Sequence, residues 1–575
     1  MVKKMPPLVP AHDTIVDLLV IGSGTGMSAA LAAHELGLSV VIAEKTAYVG
    51  GSTARSGGAF WIPGSSILPE PREKGVTEAG TYLQAVVGDA APAERGTAFL
   101  DAGAETVAML ERATPMQFFW AEGYSDYHPE KPGGRAEGRT CECRPFNASI
   151  LGEQRPRLRP GVMEAPVPMP VTGADYKWMN LIARKPLKAL PRIVRRAALG
   201  IGGMLIGREY LAGGQALAAG LFAGVLRAGI PVWTETSLMR LVHDGGGRVS
   251  GAVLRQGERE VTVRARRGVV LAAGGFDHDT AARHKYQSPA LTPHASLGSE
   301  GNTGDAIEAA RELGAGTVSM DQAWWFPAFA SLPDGAPAVM LAERSLPGSF
   351  IVDQTGRRFI NEATDYMTFG QQVLAREQAG DPVTEMWLIF DQRYRNSYIM
   401  AGGLFPRQSL PEAWYKAGIA HRADDPAALA EAIGVPVDTF TGTFAQHNDY
   451  AEAGTDPEFD RGASAYDRYY GDPTVTPNPN LSALGTAPFY AVKMILSDLG
   501  TCGGVVADEH ARVLREDGSL IEGLYAIGNT AGNAFGASYP GAGATIGQGL
   551  VYGYIAARHA AAHGIAESGV PTSAK

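Results

Sequence analysis

The chain has 575 residues, of which 45% are hydrophobic and 19% charged, with a net charge of −10. That is enough chain for several domains and a large core without disulfide or metal staples, and the acidic balance excludes a nucleic-acid binder with a wholly basic surface. Three cysteines, two of them in Cys141-Glu142-Cys143, are too few for a disulfide framework and lack the further ligands of a zinc site, so free thiols in a reducing compartment are expected and no metal. Glycine is the outlier: 72 residues, about an eighth of the chain, gathered in short motifs, as where backbone must approach a large cofactor.

Met1–Lys4 followed by apolar Ile15–Ile21 could be read as a secretory leader. Asp17 breaks the run and glycines follow at once, so a buried first strand is expected. No uncharged stretch is long and apolar enough to span a bilayer. Val16–Ile21 reads as a strand, Gly22-Ser23-Gly24-Thr25-Gly26 as a turn, Met27–Leu36 as a helix closed by Gly37, and Leu38–Ala43 as a second strand ending at Glu44. This is one βαβ unit of dinucleotide-binding size. Gly22 and Gly24 would bring backbone N–H groups to a pyrophosphate at the helix N-terminus. The third glycine of the usual pattern is Met27, with Gly26 one place early. Glu44 stands where an acidic residue accepts from ribose hydroxyls, next to Lys45. The loop Gly50-Gly51-Ser52-Thr53-Ala54-Arg55-Ser56-Gly57-Gly58 adds backbone and hydroxyl donors along a long ligand.

Farther on, Gly268–Gly275, which includes Ala273 and Gly274, reads as another buried strand entering a glycine turn. Residues 323–500 are richer in aromatic and turn residues, with a helix over Pro426–Ile433 and a loop over Pro473–Pro479. Gly523–Asn529, containing Gly528, returns to the opening style. The expected class is α/β. A Rossmann-like dinucleotide-binding domain is built from both chain ends (1–322 and 501–575), with an inserted α+β catalytic domain over 323–500.

Glu44-Lys45-Thr46, the 50–58 loop and Gly523-Leu-Tyr-Ala-Ile-Gly-Asn529 together resemble the fumarate reductase/succinate dehydrogenase flavoprotein superfamily. Within it, the chain resembles the 3-ketosteroid Δ1-dehydrogenases, through Gly123-Tyr-Ser-Asp-Tyr127, Asn302-Thr-Gly-Asp-Ala306, Gln322-Ala-Trp-Trp325, Asn361–Tyr366, Leu496–Thr501 and Tyr539-Pro-Gly-Ala-Gly543. The resemblance implies FAD, bound without a covalent link (no histidine sits in the 50–58 loop), with Ala544 and Ile546 joining the cofactor residues. It implies a 3-oxo-Δ4 steroid whose C3 ketone is polarised by the Tyr539 hydroxyl and the Gly543 N–H. Tyr366, assisted by Tyr127, would take the C2 proton while hydride leaves C1 for flavin N5. A free tyrosine has a pKa of about 10, so poising Tyr366 near neutrality needs roughly 4 kcal/mol from its neighbours; a hydrogen bond from Tyr127 would supply part. A quinone is the expected electron acceptor. Ala542, where some relatives carry proline, and Met27 depart from the pattern. His128 is expected to be a surface-loop imidazole. The alternatives are a Δ4-(5α)-dehydrogenase, a fumarate-type reductase, for which 361–370 lacks an arginine, and a flavin-binding scaffold without catalysis.

Residues 184–208 carry seven positive charges and no acidic residue (Arg184, Lys185, Lys188, Arg192, Arg195, Arg196, Arg208), interleaved with apolar side chains. Such a segment should meet anionic lipid peripherally on the cytoplasmic face of the membrane. Pro186 and Pro191 should delay its helix to Arg192, and the uncharged Tyr210–Leu226 run should pack inside.

Overall fold

The computed structural model describes residues 13–563 except 163–166, 294, 334 and 336; Met1–Lys4 lie outside the described residues. The first sheet takes its order from the apolar runs. Arg512–Leu514, Leu520–Ala526, Arg259–Leu271, Thr14–Ile21, Val40–Ala43 and Val232–Trp233 lie side by side, and the antiparallel pair Thr236–His243 and Val249–Gln256 extends from Arg259–Leu271. The central pairings are parallel, so these strands are covered on both faces, which is why they read as unbroken apolar runs. The registers Ile21↔Ala43, Ile21↔Leu271 and Leu271↔Ala526 end four strands at one level. A ligand of an open α/β sheet sits beyond such carboxyl ends.

The first helix runs over Gly26–Glu35. Gly37, at φ +80°, turns the chain so that its N–H and that of Leu38 reach the His34 and Ala33 carbonyls. The carboxy-terminal helix Ala544–His563 packs on it, and Ser28 Oγ donates to the Leu550 carbonyl at 2.8 Å. The contact closes because Gly549 has no side chain: a Cβ there would lie 2.5 Å from Thr25 Oγ1.

The second sheet is antiparallel and uses only strands from 323–501: Ala323–Phe329, Phe489–Thr501, Met386–Asp391 and Ser349–Asp353, with Ala420–Ala423 on the long second strand. Pro426–Ile433 is the expected helix, capped by Asp425, and Pro473–Pro479 is a loop. Phe489–Thr501 runs back to the first sheet, where Thr501 Oγ1 accepts from Phe276 N and Asp498 pairs with buried Arg283.

The basic segment folds differently from expectation. Its helix begins at Pro186 and continues through Pro191 to Leu205. Pro186 takes the first helical position, whose N–H has no intrahelical partner anyway, and Pro191 removes one bond at an exposed end. The next helix, Gly213–Arg227, is buried over Gly214–Val225, as expected for Tyr210–Leu226. Among the described residues no helix is long and apolar enough to cross a membrane.

Candidate active site

One cleft joins the strand ends to the second sheet. Its empty volume, counting the open mouth, is about 1780 Å³. Its lining runs without a break from Gly22 and Glu44 at the strand ends to Tyr366 and Tyr539 beside the second sheet.

The half under the first sheet is built by missing side chains. A Cβ on Gly22 would lie 2.1 Å from the Ala272 carbonyl oxygen, and the residue sits at φ +107°. Gly24 packs against Thr53 Oγ1 and the Gly50 carbonyl, while Gly51, at φ +48°, faces Gly24. Gly22, Ser23, Gly24 and Thr25 line the cleft together with Gly51, Ser52, Thr53, Ser56, Gly57 and Gly58. Ser23 Oγ donates to Glu44 Oε2 at 2.5 Å and accepts from Gly50 N, which ties the two glycine loops into one wall. Glu44 faces the cleft with both oxygens engaged, the second by Thr46. Lys45 also lines the cleft and pairs with Asp305 at 2.6 Å. Ala273, Gly274, Gly528, Asn529 and Ile546 complete this half. Asn529 Oδ1 is held by Trp324 Nε1 at 3.0 Å.

Two expected cofactor residues do not line it. Ala544 turns inward as the first residue of the carboxy-terminal helix. Gly26 serves packing: a Cβ there would come 2.9 Å from Val20 Cγ1. It thereby does the third glycine's work of bringing helix to strand, and Met27 is fully buried in the core beside it.

The other half is built by aromatic side chains. Tyr366 opens the helix Tyr366–Gln378, whose cap Asp365 accepts from Thr368 N. Its ring stacks on Phe326 with centroids 4.1 Å apart. Tyr127 is wedged edge-on between Tyr466 and Tyr539, at 4.8 and 4.9 Å. The Tyr539-Pro540 segment is pinned from behind, because Pro540 O accepts from Tyr82 Oη at 2.7 Å and from Tyr127 N at 3.1 Å. Gly543, at φ +86°, crosses the Ala59 backbone so closely that a Cβ would lie 2.2 Å from it. It immediately precedes the 20-residue helix Ala544–His563, where the helix dipole adds positive potential at the N-terminus. Tyr127, Tyr366, Tyr539 and Gly543 all line the cleft.

The donation expected from Tyr127 to Tyr366 is not made. The Tyr366 hydroxyl is buried without a hydrogen-bond partner, and the two rings meet edge to face at 5.8 Å, since Tyr127 is oriented by its other ring neighbours. Burial, then the neighbouring Tyr124 and Tyr466, push Tyr366 well above the ordinary tyrosine range; the Arg344 guanidinium pulls it down. Burial also raises Tyr539, against the Gly543 N–H. Sequence reasoning missed Arg344 and the Tyr124, Tyr466 and Tyr470 cluster. Three tyrosines within Tyr466-Asp-Arg-Tyr-Tyr470 were the available signal. His128 is half-buried rather than exposed, 4.0 Å from Asp365, because the fold brings its loop against the cap of the Tyr366 helix. The three cysteines are buried and free.

The FAD binding domain family matches residues 17–546. The chain is 43% identical to the 3-oxosteroid 1-dehydrogenase of Mycolicibacterium smegmatis, over 95% of this chain and 97% of that one. It is likewise 43% identical to the enzyme of that name in Mycobacterium tuberculosis, over 95% and 98%. The chain belongs to the 3-ketosteroid Δ1-dehydrogenase family. A crystal structure of the family member from Sterolibacterium denitrificans, in complex with 1,4-androstadiene-3,17-dione, superposes with a TM-score of 0.90 at 36% identity, covering 96% of this chain and all of that one. The chain is therefore an FAD-dependent dehydrogenase of mixed α/β fold. The cleft fits the cofactor: backbone at Gly22 has no room for a side chain, Gly24 lies against Thr53 Oγ1 with a Cβ position 3.3 Å from it, and Thr25, which precedes the first helix, lines the same wall.

Proposed function

We propose that this chain removes hydrogens from C1 and C2 of 3-oxo-Δ4 steroids. The observation that carries the reading is the convergence of Tyr366, Tyr539 and Gly543 at one end of the dinucleotide cleft. A ketone oxygen held between the Tyr539 hydroxyl and the Gly543 N–H gains two donors aimed at developing negative charge, in a buried site where such donors act most strongly. That polarisation acidifies the neighbouring C2–H. Tyr366 Oη, as the phenolate, takes the C2 proton; the electron pair left on carbon moves toward the held oxygen. Bound in the cleft, FAD supplies the two-electron oxidant that accepts hydride from C1. Tyr127 packs both tyrosines into place rather than donating to Tyr366. A 3-ketosteroid is the substrate and a quinone the final acceptor.

The Δ4-(5α) alternative differs in which ring bond is oxidised. Anaerobic incubation with a 3-oxo-Δ4 steroid should bleach the flavin spectrum and give a C1=C2 double bond. A saturated 3-oxo-5α steroid converted only at C4/C5 would overturn the reading, and an unbleached flavin would favour a scaffold without catalysis.

We also propose that the enzyme works at an anionic membrane surface. Of the thirteen exposed large apolar side chains among the described residues, seven lie within 187–206, including Leu187 at 88% and Leu205 at 84% exposure. Leu187, Leu190, Val194, Ile201 and Leu205 recur at helical spacing on one face of the Pro186–Leu205 helix. Lys188, Arg192 and Arg195 flank that face and make no ion pair among the described residues, whereas Arg184 and Arg196 are tied to Asp472 and Asp175. An apolar ridge beside cations that no carboxylate neutralises, two of them over the Trp178 ring, complements anionic lipid, from which both steroid and quinone would be drawn.

A further inference from the structure

Three buried arginines surround the segment leading into Tyr366, and one differs from the others. Arg358 is paired with Glu362 and Asp456, and Arg461 with Glu362. Arg344, 1% exposed, makes no ion pair among the described residues. Its Nη1 donates to the Glu362 and Thr364 carbonyls at 2.6 and 2.5 Å, and its Nε has no partner. Its guanidinium carbon lies over the Tyr366 ring, 5.1 Å from the centroid. A buried cation with no carboxylate in contact is costly, and the nearest group it covers is that ring.

The other groups facing Tyr366 cannot replace this charge. Tyr124, Tyr127 and Tyr466 are neutral phenols held above their ordinary range by burial. Asp365 accepts from Thr368 N at the helix cap, and Asp467 accepts from Asn361 and Gly462 N. Arg344 does not line the cleft, so it touches neither substrate nor cofactor.

We propose that Arg344 is a positioning residue for this reaction: the fixed positive charge, held flat against Tyr366 by two carbonyls, beside which Tyr366 loses and regains its proton. The inference rests on Tyr366 being the base. Tyr366 gives its own proton to water before steroid fills the cleft; when the C2–H bond breaks, the new O–H bond forms at the phenolate Oη, and Arg344 is placed to offset the negative charge carried in between.

The experiment compares the holoenzyme with Arg344→Met, Arg344→Lys and Tyr366→Phe by the pH dependence of flavin bleaching in single turnover, beside steroid affinity. Arg344→Met should move the acid limb to higher pH by about one unit or more and slow bleaching at neutral pH at least tenfold, with unchanged steroid affinity. Arg344→Lys should move the limb part of the way. A limb unmoved in Arg344→Met, with FAD content and far-ultraviolet spectrum intact, overturns the assignment even while Tyr366→Phe is inactive. If Arg344→Met does not fold, an unmoved limb in Arg344→Lys overturns it equally. Near-normal bleaching by Tyr366→Phe would instead remove the base itself.

Discussion

The two ends of the cleft recognise their ligands by opposite means. At the dinucleotide end, recognition comes from side chains that are absent: Gly22 against Ala272, Gly24 against the 50–58 loop, and helix N–H groups laid bare. At the proposed ketone end the lining is instead large side chains that are present and buried, with Tyr127, Tyr366 and Tyr539 packed ring to ring. A steric site has no intermediate setting, because backbone cannot yield to a Cβ 2.1 Å away. A site made of hydroxyls loses one contribution at a time. The same polypeptide should therefore fail abruptly at one end and by degrees at the other.

The most complete failure is expected from Gly22→Ala. The substitution adds an atom into the Ala272 carbonyl at a positive φ, so the purified protein should carry no FAD; full flavin content would break the comparison. Tyr366→Phe should keep FAD and lose turnover by about 10²–10⁴-fold, the usual worth of a general base. Tyr539→Phe should cost somewhat less, about 10²–10³-fold, since the Gly543 N–H remains on the ketone. Equal losses in FAD and rate for either tyrosine variant would show that the two ends are not separable.

Legibility follows the same division. The βαβ unit and its glycine turn could be read because strand and helix periods and the position of Gly22 are local properties of the sequence. Tyr366, Tyr539 and Gly543 could be singled out only by motif resemblance, since a buried tyrosine base and a packing tyrosine have one composition. Arg344 could not be read at all, and Tyr466 is signalled only by the tyrosine run Tyr466-Asp-Arg-Tyr-Tyr470. They reach Tyr366 from the turn at 342–346 and from the short helix Ala465–Tyr469, and are its neighbours only in the fold. The helix start at Pro186 is hidden because two prolines read as breakers, although one sits where no hydrogen bond is due. Gly26 lets the first helix approach Val20, a packing role that its place in the glycine turn does not announce.

The basic helix extends the comparison to the surface, where charge rather than fit decides. Sedimentation with anionic vesicles at low salt should retain the enzyme, and high salt should release it. The variant Lys188→Glu/Arg192→Glu/Arg195→Glu should stay in the supernatant with its turnover of dissolved steroid unchanged; Arg196 is left alone because it holds Asp175 at 2.6 Å. Negligible binding by both proteins would end the membrane reading, and self-association of the wild type alone would assign the ridge to a second copy.

The smallest effect expected lies where that helix hairpin meets the cleft. Glu142 lines the cleft wall and is buried, accepting from Gly173 N and Ala174 N at 2.8 and 3.0 Å. These two N–H groups open the helix Gly173–Asn180, whose Asp175 is the partner of Arg196. Burial raises the Glu142 carboxyl to about 7, against the pull of the two N–H groups. An acid raised in the folded state binds its proton there while the unfolded chain has already released it. Its contribution to stability is therefore complete below the unfolded value of about 4.3 and is lost as pH rises toward 7. Denaturant midpoints at pH 5 and pH 8 should thus fall further for the wild type than for Glu142→Gln, which keeps a carbonyl for one N–H and has no proton to lose. Parallel midpoints for the two proteins would mean that the Glu142 clasp on the helix is indifferent to protonation, and that the cleft wall, unlike its tyrosine floor, is held by geometry alone.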